Sequence, residues 1–322
     1  MKWTGFVLKT AACCAVITVT FSVQAQQYPA KPVRFIVPFS PGSGSDTIAR
    51  IIASGFPEAL GQTVLVDNRA GAAGNIGAEL AAKAPADGYT MLLVILGHAA
   101  NATLYKNLPY DLTRDFAPVT QFASTPSILV VHPSLPVKSV SDLVSLARAR
   151  PGEINYASGG VGTPTFIAGE LFKLHAKVNM LHVPYRSGGE ALTAVLSGES
   201  PVYLAPIAPA LPQVRAGKLR GLAVTSRERL ALLHDYPTIA ESGYRGFQTG
   251  NWYGLVVPAR TPPEVVATLN RAALAVLKNP AVDKRLTDSG YVVIGDSPER
   301  FAAHIQSEIT SLAKILKDVK VK

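Results

Sequence analysis

A regular alternation of strand-like and helix-like segments constrains the fold of this chain more than any other feature. Apolar runs of strand type, beginning with VRFIVPF (33–39), TVLVDN (63–68) and YTMLLVIL (89–96), alternate with segments of helical periodicity. This order is typical of an α/β protein, and it predicts a parallel sheet connected by crossover helices. The pattern restarts at SILVVH (127–132) and continues to LRGLAVT (219–225), which predicts a second α/β domain.

The last quarter of the chain indicates a return to the first domain. A strand-like run, WYGLVVP (252–258), and two helical segments, 263–277 and 298–316, follow the complete second series. We therefore predict a first lobe built from residues 26–125 plus 246–322 and a second lobe built from residues 126–245. Two chain crossings between α/β lobes leave a cleft between them, and such clefts commonly bind small ligands.

The first 25 residues have the features of an export signal. A lysine-containing start precedes the short apolar stretch TAACCAVITVTFSV (10–23), and VQA (23–25) has the small-x-small pattern that signal peptidase cleaves. We predict cleavage after Ala25, which removes both cysteines and leaves a mature chain without thiol or disulfide chemistry. A lipid anchor at Cys13 is the alternative, but Thr10 stands where a lipobox has an apolar residue.

Charge and motif content argue against several classes of function. The formal net charge of +9 comes from scattered lysines and arginines, without a basic run or interleaved aromatic residues, which argues against nucleic-acid binding. The six histidines include no HExxH pair, and the chain has no Gly-x-Ser-x-Gly elbow. We therefore predict no metal site, no cofactor and no catalytic residue.

Three glycine-rich loops follow predicted strands, namely SPGSGSD (40–46), DNRAGAAGNIGAE (67–79) and YASGGVGTPT (156–165). Glycine lets the backbone approach a ligand, and the N-terminus of the following helix offers unpaired amides that favour an anion. Open α/β sheets bind ligands at the carboxyl ends of their strands, where these loops lie. Together the loops predict a site for a carboxylate or a phosphate.

A dinucleotide site is the main competing interpretation of the first loop. Gly42 and Gly44 follow a strand, and Asp67 ends the next strand, where a ribose-binding acid would lie. Thr47 replaces the third glycine of that fingerprint, however, and no Gly-Lys-Ser/Thr of a P-loop follows. We interpret Asp46 first as a capping or first-turn residue of the next helix, and second as a ligand contact.

Several polar residues near other strand ends have more than one possible role. Asn75 lies within the second glycine-rich loop, and His98 follows a strand, where it either contacts a ligand or packs the loop. Tyr185 and Arg186 follow another strand, and Arg186 either binds an anion or braces the neighbouring lobe. His182 alternates with apolar residues on a strand, and we interpret it as a structural histidine.

The chain resembles a known family over essentially its whole mature length. The resemblance rests on segments that include YPAKPVRFIVPFSPGSGSD, VDNRAGAAGNIGAE, NYASGGVGTPT, HVPYRSGGEALTAVLSG and WYGLVVPARTPPEVVATLN. They are similar to the periplasmic solute-binding proteins of tripartite tricarboxylate transporters, the Bordetella uptake gene or TctC group. The resemblance implies a two-lobed α/β periplasmic binding protein of the Venus-flytrap type, with a sheet flanked by helices in each lobe and the ligand cleft between the lobes. It also implies a periplasmic location, a small carboxylate ligand and membrane permease subunits as partners.

The resemblance further implies a ligand site built largely from the backbone amides and hydroxyl groups of two loops. By motif position, the residues carried over are Phe39, Ser40, Gly44, Ser45, Asp46, Ser158, Gly162, Thr163 and Pro164. We add Asn75, His98, Tyr185 and Ala205 as further candidate ligand-binding residues. Two departures make the expected pocket less polar, because Phe166 stands where many relatives have histidine and Ala205 where many have aspartate. Plain organic acids are therefore expected in preference to amino acids.

The leading hypothesis is a monomeric binding protein, and two other functions stay open at this point. An exported enzyme on the same scaffold is disfavoured by the missing nucleophile–base motif. A sensor subunit that uses the same two-lobed fold to signal is not distinguishable from a transport protein by sequence.

Overall fold

The computed structural model describes residues 28–317, so the predicted signal peptide and both cysteines lie outside the described residues. The strands are β1 Val33–Val37, β2 Val64–Asn68, β3 Thr90–Ile95, β4 Phe116–Val131, β5 Asn155–Ser158, β6 Leu181–Pro184, β7 Val202–Pro206, β8 Arg220–Val224, β9 Gly250–Pro258 and β10 Val292–Val293. The helices are α1 Gly44–Ala53, α2 Phe56–Leu60, α3 Asn75–Ala82, α4 Leu96–Leu104, α5 Val140–Ala149, α6 Pro164–Ala176, α7 Gly188–Leu196, α8 Ile207–Arg215, α9 Pro263–Lys278, α10 Pro280–Asp288 and α11 Pro298–Leu316.

The strands form a mixed sheet with the order β2-β1-β3-β9-β4-β7-β5-β6, and β8 and β10 also pair with β4. The predicted parallel arrangement holds for β1 with β2 and β3, and for β5 with β6 and β7. It is wrong for β4 and β9, which are antiparallel to their neighbours. The reason is the route of the chain, because β4 and β9 pass between the lobes and do not return through a crossover helix.

Strand β4 connects the two halves of the sheet. It pairs with β9 as far as Pro126, and from Ser127 onward it pairs with β7 and β8. The sequence pattern predicted its second half only. Pro118 and Pro126 interrupt the first half, and the pairing with β9 shifts register after Pro118, as expected where proline removes a ladder donor.

Strand β9 brings the chain back to the first lobe, where it lies between β3 and β4. Its residues Tyr253, Leu255 and Val257 belong to a core of that lobe, together with Phe35 and Ile48. A separate core in the second lobe contains Ile128, Tyr203 and Ala205. The fold is thus the expected two-lobed α/β fold, while the limits at residues 125/126 and 245/246 stay a prediction.

Local sequence explains where most of the helices begin. The hydroxyl groups of Ser43, Thr163 and Ser187 cap α1, α6 and α7 by accepting a hydrogen bond from a backbone amide in the first turn. Proline occupies an early helical position in α6, α9 and α11, where its missing N–H costs no hydrogen bond. Among the described helices, none has the length and apolar character needed to cross a membrane.

Candidate functional site

A cavity of about 230 Å³ lies between the lobes where three helices begin. The capping residues of α1, α6 and α7 are all on its wall, so the cavity receives one helix N-terminus from the first lobe and two from the second. We call it the front cavity. Its wall includes Phe39, Ser40, Ser43, Gly44, Ser45, Gly71, Ala72, Ala73, Thr125, Thr163, Pro164, Thr165, Arg186, Ser187, Gly188, Tyr203, Asn251 and Tyr253.

The three caps share one geometry. Ser43 Oγ accepts from the amide of Asp46 at 3.2 Å, and Ser187 Oγ accepts from the amide of Glu190 at 3.2 Å. Thr163 Oγ1 accepts from the amide of Phe166 at 3.4 Å. Each helix N-terminus carries a partial positive charge and amides without helical partners. Three such ends at one cavity favour an anionic ligand.

The charge of the wall also favours an anionic ligand. Within residues 28–317, the wall of the front cavity has no acidic side chain, and Arg186 is its only charged residue. The backbone amide of Arg186 donates to Glu190 Oε2 at 3.2 Å, but its guanidinium forms no ion pair with the described residues. The local potential is therefore positive, which attracts a carboxylate.

The loop between β2 and α3 approaches the front cavity in an unusual backbone conformation. Ala72 and Ala73 have φ angles of 47° and 54°, in the left-handed region that side chains other than glycine rarely adopt. The side-chain amide of Asn101 donates to Ala73 O at 3.3 Å and to Asn75 Oδ1 at 2.7 Å, and Tyr110 Oη donates to Asn75 Oδ1 at 2.8 Å. Asn75 therefore fixes the loop from behind and does not lie on the cavity wall.

His98 lies in helix α4, which the sequence pattern did not predict. Its side chain is fully buried, and Nδ1 accepts from the amide of Ile95 at 3.1 Å. Burial lowers the pKa of His98 to about 4, so the imidazole is neutral at physiological pH. Phe39 covers it edge-on, with 6.0 Å between the ring centres. His98 thus packs the loop, the second of its two predicted roles.

Of the two roles predicted for Asp46, the structure shows the structural one. Its carboxylate accepts from the amide of Gly42 at 2.9 Å and from Asn68 Nδ2 at 3.0 Å, and it forms an ion pair with Arg50 at 3.0 Å. Burial acts to raise the pKa of Asp46, but these hydrogen bonds and the arginine outweigh it and hold the pKa below the usual value. Asp46 braces the first loop outside the cavity wall.

The loop between β5 and α6 is held by a short chain of hydrogen bonds. Ser158 Oγ lies 2.6 Å from His182 Nε2 and accepts from the amide of Gly160 at 3.0 Å, while Thr163 Oγ1 donates to Gly160 O at 2.7 Å. Burial lowers the pKa of His182 to about 4, an effect that Glu170 opposes. The Ser158–His182 pair looks like a nucleophile and its base, but Ser158 is fully buried and is not on the wall of the front cavity.

Six of the predicted ligand-binding residues lie on the wall of the front cavity, namely Phe39, Ser40, Gly44, Ser45, Thr163 and Pro164. Their contact with a ligand stays a prediction. The other seven predicted residues are not on this wall. Four of them, Asp46, Asn75, His98 and Ser158, are described above, and the other three are Gly162, Tyr185 and Ala205.

Each of the last three has a physical reason for its position. Gly162 packs against the first lobe, where a Cβ built on it would lie 2.6 Å from Asn101 Oδ1. Tyr185 turns away from the cavity, and its hydroxyl donates to Glu199 Oε1 at 3.1 Å. Ala205 is fully buried in β7 beside Ile128, in the core of the second lobe.

Other residues of the wall were not predicted from sequence. Ser187 and Gly188 had a local signal, because a serine three residues before Glu190 is a common start of a helix. Asn251 and Tyr253 had none, since they reach the cavity only because β9 inserts between β3 and β4. For the part of the chain in residues 28–317, no group of three or more histidine, cysteine, aspartate or glutamate side chains is arranged to hold a metal ion.

The two-lobed α/β fold, with a cavity between the lobes at the meeting point of helix N-termini, defines a solute-binding protein of the periplasmic type. Comparison with known proteins agrees. Residues 48–321 match the family described as "Tripartite tricarboxylate transporter family receptor", and the chain belongs to this family.

Three relatives illustrate the similarity. Protein BugT of Bordetella pertussis is 34% identical over 302 residues, which cover 93% of this chain and 93% of BugT. The structure of Rpa4515 from R. palustris with adipate is 37% identical, with a TM-score of 0.86 and coverage of 90% of this chain and 97% of that one. MatC from Rhodopseudomonas palustris with bound malate is 33% identical, with a TM-score of 0.83 and coverage of 90% and 100%.

Proposed function

We propose that this protein captures a small organic carboxylate in the front cavity and delivers it to the membrane permease of a tripartite tricarboxylate-type transporter. The observation that carries the proposal is the meeting of three helix N-termini on a wall that, in the described part of the chain, has no acidic side chain. A carboxylate satisfies amide and hydroxyl donors and gains from the helix dipoles. The family assignment supports the delivery step.

Dicarboxylates are the favoured ligands within this class. Rpa4515 is described with adipate and MatC with malate, and both of these ligands are dicarboxylic acids. One carboxylate binds at the helix N-termini, and the guanidinium of Arg186 supplies a fixed positive charge for the second. Within residues 28–317, the wall has no carboxylate that could pair with the amino group of an amino acid, so it does not favour an amino-acid ligand.

The cellular setting follows from the same assignment. The protein is exported to the periplasm, where a signal peptidase cleaves it after Ala25, and it acts as a monomer without catalysing a reaction. The apolar N-terminal stretch and the periplasmic setting of solved relatives such as BugD support this location. The burial of the Ser158 hydroxyl supports binding without chemistry.

The ligand class is tested by calorimetry and thermal unfolding of the full chain with adipate, malate and citrate. Adipamide is the matched control for adipate, because it keeps the carbon chain and removes both charges. A ligand that binds only the folded protein raises its stability by about 2.7 kcal/mol at a hundredfold excess over the dissociation constant. Equal binding of adipate and adipamide, or no binding of any acid, would contradict the proposal.

The delivery step needs a separate experiment, because a sensor with the same fold also binds its ligand. Vesicles that contain the permease subunits should accumulate labelled acid only when this protein is present outside. If the protein binds the acid but uptake stays unchanged even when the protein is in excess, the sensing alternative is favoured over transport.

A further inference from the structure

A second cavity lies behind the front cavity, on the opposite side of strands β4 and β9, and has a volume of about 510 Å³. We call it the rear cavity. Thr125 and Asn251 contribute to the walls of both cavities and are directly paired across β4 and β9. Asn251 Oδ1 also accepts from the amide of Leu96 at 3.2 Å, which ties β9 to helix α4. These paired residues separate the two cavities.

Both lobes contribute to the rear cavity. Ile167 and Leu171 of α6 line it on the side of the second lobe, and His304 and Glu308 of α11 line it on the side of the first. The same helix α6 begins at the front cavity, where Thr163 is its cap. Because α6 reaches both cavities, a rotation of the lobes that changes one of them also changes the other.

The wall of the rear cavity carries mostly uncharged hydrogen-bonding groups, together with one carboxylate. Gln121 is only 7% exposed, and its side-chain amide has no hydrogen-bond partner among the described residues. Gln248 and Ser311 add a further carboxamide and a hydroxyl, and Glu308 adds a carboxylate. Ser226 Oγ also lies on the wall, but its O–H donates to Glu228 O at 2.6 Å, so this oxygen can only accept from a ligand. Trp252 forms an aromatic part of the wall.

We propose that the rear cavity is a second binding site, which takes a neutral polyhydroxylated molecule of about the size of a monosaccharide. Carboxamides and serine hydroxyls both donate and accept hydrogen bonds, as the hydroxyls of such a molecule do. In the part of the chain that the structure covers, no lysine or arginine lies on this wall, and Glu308 repels a carboxylate. The rear site therefore excludes the acids for which the front cavity is built.

Binding at the rear site strengthens binding at the front. In this structure Gly162 of the second lobe lies against Gly97 and Asn101 of the first, so the loops of the two lobes are together around the front cavity. A molecule that fits the rear cavity in this arrangement favours it over arrangements in which the lobes are apart. The coupling is reciprocal, so a front ligand strengthens rear binding by the same factor.

The first test does not depend on the identity of the front ligand. Trp3→Phe leaves Trp252 as the only tryptophan of the full chain, so its fluorescence and indole NMR signal report on the rear wall. D-glucose, myo-inositol and glycerol are the probes, with tetramethylammonium and adipate as charged controls. We expect saturable changes with at least one polyol. Absence of saturation with all three, or tighter binding of tetramethylammonium, would overturn the proposal.

Two variants locate the site. Gln121→Leu removes a hydrogen-bonding partner and Glu308→Gln replaces a charged acceptor by a neutral one, so each should weaken polyol binding about tenfold. Gln306→Leu is the matched control, because Gln306 is exposed on α11 and is not on the rear wall. Amide spectra without probe show that each variant is folded. Unchanged polyol affinity in both folded variants would place binding elsewhere and refute the site.

The coupling is measured by titrating adipate with and without a saturating polyol. We expect the affinity for adipate to rise about fivefold or more, the lower end of usual coupling between sites. If the polyol binds and adipate affinity is unchanged, the coupling through α6 is refuted. If adipate does not bind while the polyol does, the proposed function fails and the rear site stands.

Discussion

Gly97 in helix α4 lies so close to Gly162 that a Cβ atom built on Gly97 would be 2.8 Å from the carbonyl oxygen of Gly162. The two residues belong to different lobes, and each is near a loop of the front cavity. A side chain at position 97 is therefore incompatible with the observed approach of the lobes, because real Cβ atoms essentially never come this close to a backbone oxygen.

We predict that Gly97→Ala weakens carboxylate binding while each lobe stays folded. The added methyl group separates the lobes, so the closed arrangement becomes less populated and the apparent affinity falls by the same factor. Small-angle scattering should show a larger radius of gyration in the presence of ligand than for the wild type. Gly189→Ala is the control, since the nearest atom to its Cβ is 3.8 Å away. Wild-type affinity in Gly97→Ala would contradict the role of this contact.

Thr163 provides a second prediction, which the structure changes from what the sequence alone suggests. Its only O–H donates to Gly160 O, so the hydroxyl holds the loop and is not free to donate to a ligand at the same time. Thr163→Val removes this bond and the helix cap, and should lower the free energy of unfolding by about 1 kcal/mol, in addition to weakening binding.

Thr163→Ser is the matched control, because it keeps the hydroxyl and should restore both quantities. Urea denaturation and calorimetry measure stability and affinity separately. A loss of affinity in Thr163→Val without any loss of stability would show that the hydroxyl contacts the ligand directly.

Arg186→Gln should discriminate between monocarboxylates and dicarboxylates. Arg186 is the single charged residue on the described wall of the front cavity, so its removal should cost a dicarboxylate about 1 to 2 kcal/mol, or roughly five- to thirtyfold in affinity. Hexanoate should lose much less than adipate. Arg215→Gln, at the exposed end of α8, is the charge-matched control. Equal losses of affinity for adipate and hexanoate would mean that Arg186 either binds the first carboxylate or only stabilises its own loop.

The fully buried His98 and the half-buried His182 should make the protein less stable in mild acid. The pKa values of His98 and His182 are lowered to about 4 in the folded state, against 6.5 in the unfolded chain, mainly through burial. Well above pH 6.5 both histidines are neutral in both states and there is no effect. As the pH falls from 6.5 to 4, the unfolded state takes up protons that the folded state does not, so the free energy of unfolding decreases.

The measurement is urea denaturation of the wild type and of His98→Asn between pH 7 and pH 4, in steps of about 0.5 pH unit. It gives the slope of the free energy of unfolding against pH. The variant should show a smaller slope than the wild type, whatever its absolute stability, because one of the two groups is gone. Identical slopes would mean that His98 is protonated equally in the folded and unfolded states.

Ala205→Asp should destabilise the fold and should not convert the specificity to amino acids. Ala205 is fully buried beside Ile128, so a carboxylate there is unpaired in an apolar core and lowers the free energy of unfolding by several kcal/mol. Ala259→Asp, at an exposed position, is the control for the substitution itself. A stable Ala205→Asp variant with raised affinity for amino acids would place position 205 at the ligand after all.

The sequence by itself determined the local elements and the kind of protein. Strand and helix periodicity predicted most elements close to their observed limits, because these patterns depend on residues only a few positions apart. The starts of α1 and α6 were predictable for the same reason, since Ser43 and Thr163 bond to amides three residues later. The motifs also identified the family, because they are specific when taken together.

Only the tertiary structure decided which candidate residues reach the front cavity. His98 and Ala205 were placed near strand ends by the sequence, yet packing of α4 and β7 buries both. Asn251 and Tyr253 had no local signal, because β9 inserts between strands that are more than 110 positions away in the chain. The hydrogen bond between Leu96 and Asn251, which are 155 positions apart, illustrates this. Strand order and lobe contacts depend on the whole chain at once, so short-range patterns do not specify them.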